Sequence, residues 1–260
     1  SKVLVKLPMM SFIYYNSLSE SNRKFMSEAK RIVVDTNAGR DEALEDLFRN
    51  SKDRSMVITE LPSRGKFYDK FTGLTLAPLK FLDEQLILNG KTAQKDIVTE
   101  LLEKTVTGID VSQILLMDKN YLLMKLREVS YGDDYEFGVV CQNCSYESKT
   151  KIELSKQLNL TQIPEDFEDP RPVHLPRLGV KAMIRLPRNR EELFLADTET
   201  SYKNLYRFVV SIDEYTDPVL ISKAISRMEI GDVKTLVRAI TVSEYGIDPR
   251  FIFKCGKCGH

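Results

Sequence analysis

Hydrophobic positions along the chain repeat at different periods, and each period points to a kind of element. Residues 1–15 read as a strand-like run interrupted by Pro8. Ser17-Leu18-Ser19-Glu20 offers capping chemistry ahead of Phe25, Met26 and Ala29, which predicts a helix near 20–31. Asn37-Ala38-Gly39 breaks that pattern, and over 42–48 Ala43, Leu44, Leu47 and Phe48 fall on one face of a second, short helix. The polar, unpatterned run 51–55 reads as a linker, so residues 1–55 are set apart as an N-terminal extension.

Pro62 and Gly65 then punctuate a turn over 61–68, which lacks the Gly-rich spacing and Gly-Lys-Ser/Thr ending of a phosphate loop. Leu74, Leu76 and Leu79 are strand-like, and a short helix over 82–88 stops at Asn89-Gly90. Thr92 is placed to cap a helix whose stripe is Ile97, Val98, Leu101, Leu102 and Val106, with Gly108 ending it. Asp118 reads as the cap of a helix carrying Leu122, Leu123, Leu126 and Val129 and finishing near Tyr131-Gly132. Asp133 and Asp134 follow as turn residues.

Alternation of Phe137, Val139, Ile152 and Leu154 predicts a hairpin from 135–141 and 147–154. The stretch 163–172 carries three prolines and reads as a connector. A second hairpin is predicted from 173–175 and 180–186, with His174 exposed on its strand. Helices are expected over 204–212, from Asp217-Pro218 to Met228, and after Asp232 as cap, where Val233, Leu236, Val237 and Ile240 share a face and Gly246 is the stop. Residues 251–254 extend toward Cys255. The fold class is α+β: after the extension, a mainly helical region over 56–136, then over 137–260 a zinc-ribbon-like β part with an inserted hairpin and helices.

With 42% hydrophobic residues in 260, the chain can bury a substantial core. Lys plus Arg and Asp plus Glu both number 38, so no global field draws it to a polyanion. No apolar stretch approaches the roughly 20 residues that cross a bilayer, and residues 1–7 do not form a secretory signal. No nucleophile stands beside a base visible in the sequence, and a protein without catalysis is expected.

The four cysteines form two pairs, Cys141-Gln142-Asn143-Cys144 and Cys255-Gly256-Lys257-Cys258. A two-residue gap lets both sulfurs of a tight turn face one cation, and two such turns complete the tetrahedron that zinc accepts. Bridges within such pairs would close small strained loops, and no thioredoxin-like context is visible. The expectation is one structural zinc on Cys141, Cys144, Cys255 and Cys258, with His260 able to compete. The spacing between the pairs exceeds that of an isolated ribbon, so a folded insertion must bring the turns together.

Three segments follow in a fixed order: Glu60-Leu61-Pro62-Ser63-Arg64-Gly65-Lys66-Phe67-Tyr68, then Asp118 through Leu126-Arg127-Glu128-Val129-Ser130-Tyr131-Gly132-Asp133-Asp134-Tyr135-Glu136-Phe137, then the first cysteine pair. This order resembles the baseplate hub assembly proteins of contractile-tailed phages of the T-even type, with their Leu-Pro-Ser-x-Gly turn, Arg-x-x-Ser-Tyr-Gly segment and cysteine pairs. The likeness runs from about Glu60 to His260. It implies a hub component or hub assembly factor that binds other baseplate hub or tail proteins, in the host cytoplasm during assembly and then in the virion tail baseplate. It implies no catalytic residues. Ser145 stands where a glycine often follows the first pair.

The alternative is a zinc-ribbon nucleic-acid binder, for which Lys149, Lys151, Arg171, Arg177, Lys181 and Arg185 are the available basic stripe. Neutral overall charge disfavours it.

Overall fold

In the computed structural model, which describes residues 3–6, 37–49, 53–89, 94–157, 160–241, 245–248 and 250–259, short strands and helices alternate along the chain. The first half runs β1 (Val3–Lys6), α1 (Asn37–Phe48), β2 (Met56–Ile58), β3 (Leu74–Leu76), α2 (Phe81–Asn89), α3 (Gln94–Thr105), β4 (Val106–Thr107) and α4 (Leu116–Tyr131). The second runs β5 (Asp134–Val140), β6 (Glu147–Glu153), α5 (Leu154–Gln157), β7 (Leu160–Thr161), β8 (Arg171–Leu175), β9 (Val180–Ile184), α6 (Thr198–Asn204), β10 (Val209–Ile212), α7 (Pro218–Arg227), α8 (Ile230–Thr241), β11 (Gly246–Ile247) and β12 (Arg250–Phe253). The sheets are small and antiparallel: β2-β3-β4, β10-β9-β8, and the pairs β5-β6, β7-β11 and β1-β12. The architecture is thus mixed α+β. Among the described residues no helix is long and apolar enough to cross a membrane.

None of these sheets is large enough to supply one continuous core, and among the described residues the apolar side chains divide into separate clusters, three of them large. Ile58, Leu74, Leu76 and Leu102 pack with Leu122 and Leu126. Ala182, Ile184 and Phe208 pack with Ile221 and Leu236. Tyr135, Phe137, Ile152 and Phe253 surround the cysteines. Helix α4 serves two of these clusters: Leu122 and Leu126 enter the first, and Met124 enters the cysteine cluster. Its Met117 joins Leu115, Ile163 and Leu186 in a fourth, bridging cluster. A helix engaged on so many sides must bury polar side chains too, and Asp118, Lys119 and Arg127 are each at most 2% exposed.

Asp118 is not the cap that local pattern suggests. The helix begins at Leu116, with Leu115 as its N-cap, so Asp118 lies inside the first turn. Its carboxylate accepts from the Ser63 amide at 2.9 Å, from the Ser63 hydroxyl and from the Tyr68 hydroxyl. Burial raises its pKa, and the bonds from Ser63 and Tyr68 oppose that rise without cancelling it. The 61–68 turn held in this way clips the connector. The Ile163 amide donates to Pro62 O at 2.9 Å, Arg64 Nε to Ile163 O at 2.8 Å, and Lys66 Nζ to the carbonyls of Glu165 and Phe167 at 2.8 and 2.6 Å. Gly65 has φ +70°, and a Cβ there would meet the Phe71 ring at 2.1 Å, so any larger residue would be strained and would have to displace that ring.

Asp232 repeats the device. It too lies in a helix first turn, of α8, and its carboxylate accepts from the Arg177 and Leu178 amides of the β8–β9 turn at 3.1 and 2.8 Å. Asp217 does cap α7, accepting from Leu220 N at 2.7 Å ahead of Pro218.

Other expectations shift. Residues 209–212, read as helix, form strand β10 against β9, because β-branched Val209, Val210 and Ile212 suit a pleated surface and a short apolar run does not declare its period. Val106 leaves the helix stripe for β4, and α8 ends at Thr241, short of Gly246, which lies in β11. Asn37, Ala38 and Gly39 begin α1 instead of breaking it, and Leu44, Leu47 and Phe48 on that helix are exposed. The helix expected near 20–31 and the Thr92 cap lie outside the described residues.

Asp118→Ala, by leaving two buried hydroxyls without an acceptor, should lower unfolding free energy by about 3 kcal/mol in urea titration. Combined with Tyr68→Phe it should cost less than the sum of the two. The Arg185 fork gives a pH test, since it grips Glu191 at 2.8 and 2.6 Å. Burial works against ionisation of Glu191, but the bonds from Arg185 and the Arg188 amide outweigh it and hold the pKa below the ordinary 4.5. The unfolded chain therefore takes up this proton first as pH falls. The stabilisation is complete above about pH 4.5 and disappears as pH drops through the lower folded value. Glu191→Gln should flatten that part of the curve of urea midpoint against pH.

Candidate metal centre

Strand periodicity delivers the first sulfur of each pair. Along β5 the side chains of Tyr135, Phe137 and Val139 are buried on one face, and Cys141 is the next residue of that set. Phe253 and Cys255 continue the buried side of β12 in the same way. The second sulfurs come three residues later, across the turn, where Cys144 is half-buried and Cys258 exposed. Beneath them Tyr135 stacks on Phe137 with centroids 5.1 Å apart.

The two turns have one geometry. Ser145 N donates to Cys141 O at 2.8 Å, and Gly259 N donates to Cys255 O at 2.9 Å. Ser145 takes the left-handed φ of 54°, beside 70° for Gly259, so the departure from glycine leaves the backbone path intact. The Cys141 amide, donating to Tyr146 O at 3.0 Å, closes the loop between β5 and β6.

All four sulfurs lie within 4.8 Å of one another, with Cys141 to Cys258 at 3.6 Å and Cys144 to Cys255 at 3.7 Å. Sulfurs held about 2.3 Å from zinc at tetrahedral angles are about 3.8 Å apart. No disulfide joins them. The cluster is able to hold a metal ion, and its donor set is soft thiolate throughout. Backbone amides of Cys258 and Lys257 donate to the Cys255 sulfur and lower its pKa against burial. The Tyr146 amide likewise favours the Cys144 thiolate, but burial and hydrogen bonding with Cys258, Cys141 and Cys255 push that thiol up to about 12. One cation shared by four thiolates removes this competition.

Two neighbours were not legible in the sequence, where residues between paired cysteines look like spacers. Asn143 Nδ2 donates to the Cys258 sulfur at 3.6 Å, and the Lys257 ammonium sits 5.6 Å from the Tyr146 ring centroid on the other turn. His260 lies outside the described residues. Asp133 accepts from the Ser155 amide and hydroxyl at 2.7 and 2.6 Å, which lowers its pKa and serves the turn into α5.

The candidate basic stripe does not assemble as one. Lys149 faces Glu136 at 3.7 Å, Lys151 pairs with Asp134 at 2.7 Å, and Arg177 faces Glu229 at 3.9 Å. Arg185 is taken by Glu191, Arg171 donates to Ala239 O at 2.8 Å, and Lys181 is exposed on β9. Most of this positive charge is answered locally by acids.

Residues 54–260 match the family model described as T4 bacteriophage base plate protein. The chain belongs to that family. No curated protein and no solved structure matches it.

In this base plate protein the segments that carried the resemblance hold the fold at both ends of α4. At the first end stands the Ser63–Asp118–Tyr68 cluster. At the other, Arg127 donates to Gly132 O and Asp134 O at 2.9 and 3.0 Å, bracing the exit into β5. Ser130 Oγ accepts from Leu79 N at 2.9 Å, and the Tyr131 hydroxyl donates to Glu84 of α2. If the first turn depends on the left-handed backbone at Ser145, Ser145→Val should cost about 1–2 kcal/mol in thermal unfolding, and Ser145→Gly should cost little.

Proposed function

We propose that this base plate protein helps to build the hub of the tail baseplate, as a hub component or hub assembly factor acting through protein–protein association. In this reading it works in the host cytoplasm during assembly and takes its place in the virion tail. Cys141, Cys144, Cys255 and Cys258 hold one structural zinc in a zinc-ribbon-like pair of turns. The observation that carries the metal reading is the convergence of four sulfurs at separations of 3.6 and 3.7 Å that suit a tetrathiolate. Four thiolates leave no open position for a reacting water, so the ion contributes folding energy and not chemistry. It fastens β12 to the β5–β6 hairpin across 111 residues of sequence. A boundary near residue 55, between an extension and the regions 56–136 and 137–260, is supported by the start of the family match at residue 54.

Elemental analysis of the purified, reduced chain should find one zinc per molecule. A strong chelator should then raise amide exchange over 134–153 and 250–259 well before it does so over 171–240. A folded chain without metal, or uniform loosening, would defeat the zinc reading. Co-purification with tail proteins from infected cells tests the hub role. Retention on nucleic acid that falls steeply with salt would favour the nucleic-acid alternative instead.

A further inference from the structure

The four cysteines differ in exposure. Cys141 and Cys255 are 3% and 2% exposed, Cys144 is half-buried, and Cys258 is exposed. An agent arriving from solvent therefore meets Cys258 first. The sulfur of Cys141 lies 3.6 Å from it, and Cys144 and Cys255 form a similar couple at 3.7 Å. Each couple takes one sulfur from each turn. A bond within one turn would enclose only two residues and strain a backbone already closed by the Gly259 to Cys255 hydrogen bond. A bond between turns carries no such restriction.

We propose that the cluster is an oxidation site for peroxides, in which Cys258 reacts first and is then joined to Cys141 across the two turns. The Cys258 thiolate attacks one peroxide oxygen; an S–O bond forms, the O–O bond breaks, and hydroxide leaves to become water. The Cys141 thiolate attacks the resulting sulfenic sulfur; the S–S bond forms, the S–O bond breaks, and a second water results. Two thiolates have lost two electrons, and one peroxide has gained them. Cys144 and Cys255 are too few to fill a four-coordinate shell, so the ion is released. Only this last step rests on the zinc reading. The outcome is a change of clasp: the bond that replaces the ion ties the same two segments, so residues 250–259 stay on the β5–β6 hairpin after the metal has gone.

The sequence supplies a direct readout in the native full-length chain. Trypsin cuts after Arg127, Lys149, Lys254 and Lys257, which puts Cys141 and Cys144 on peptide 128–149, Cys255 on peptide 255–257, and Cys258 on the peptide that follows. After one equivalent of hydrogen peroxide, alkylation of remaining thiols and digestion without reductant, peptide 128–149 should carry the Cys258 peptide. Fragment spectra should place the bond at Cys141, with this species at least about tenfold above any link between the 255–257 and Cys258 peptides. In the reduced, metal-loaded chain, iodoacetamide should modify Cys258 at least about tenfold faster than Cys141. A dominant bond within one turn, no bond at all, or equal alkylation rates would overturn the proposal. Zinc content measured before oxidation judges the zinc reading separately: a metal-free reduced chain would refute that reading, and the disulfide map would still decide the clasp.

Discussion

A carboxylate withdrawn from water must be satisfied where it lies, and at Asp118 that requirement organises the molecule. Its acceptors are filled by Ser63 and Tyr68, which stand 55 and 50 positions earlier in the chain. The turn so fixed presents Pro62 O, Arg64 and Lys66 to residues 163–167. One acid on one helix thereby sets the relation between the 56–131 elements and the connector that leads to the β8–β9–β10 sheet. Without it, Ser63 and Tyr68 would be buried donors with no acceptor, and the connector would lose its seat.

The same economy recurs elsewhere. The sheets are too small to bury one large core, and the chain compensates with clips between segments distant in sequence, Asp232 on the β8–β9 turn and Asp169 on the Leu186 amide, and with a local one, Arg127 on the carbonyls just beyond α4. The cysteine cluster belongs to this series. It does between β12 and the β5–β6 hairpin what Asp118 does between α4 and the 61–68 turn. Strand β1, which precedes the family region, pairs with β12 from Val3 opposite Phe253 to Lys6 opposite Arg250 and adds a second hold on that strand.

Both hairpins, the α7 cap and the cysteine pairing were legible because each is written locally, in alternation, in Asp217-Pro218 or in two-residue spacing. What escaped was long-range. An aspartate shortly before an apolar helical stripe has the local signature of a cap, and nothing nearby tells that the carboxylates of Asp118 and Asp232 turn outward to another segment. Strand β10 was lost for a related reason, since Val209 to Ile212 is too short for its period to speak and its partner β9 decides. That the two cysteine pairs belong together could be read from spacing, but their unequal exposure could not. It follows from Cys141 and Cys255 falling in register with the buried faces of β5 and β12, which only the strands' placement reveals.

The sequence distance between the two cysteine pairs also has a temporal side. Cys144 is translated 111 residues before its near neighbour Cys255. At the usual pace of a ribosome that gap lasts roughly 5–20 s. For that time the first pair of sulfurs stands without the second, and the four-sulfur cluster does not yet exist. The hairpin must rely on apolar packing among residues such as Met124, Tyr135, Phe137, Val139, Ile152 and Leu154, and the four sulfurs converge only after the β8–β9 hairpin and α8 have left the ribosome.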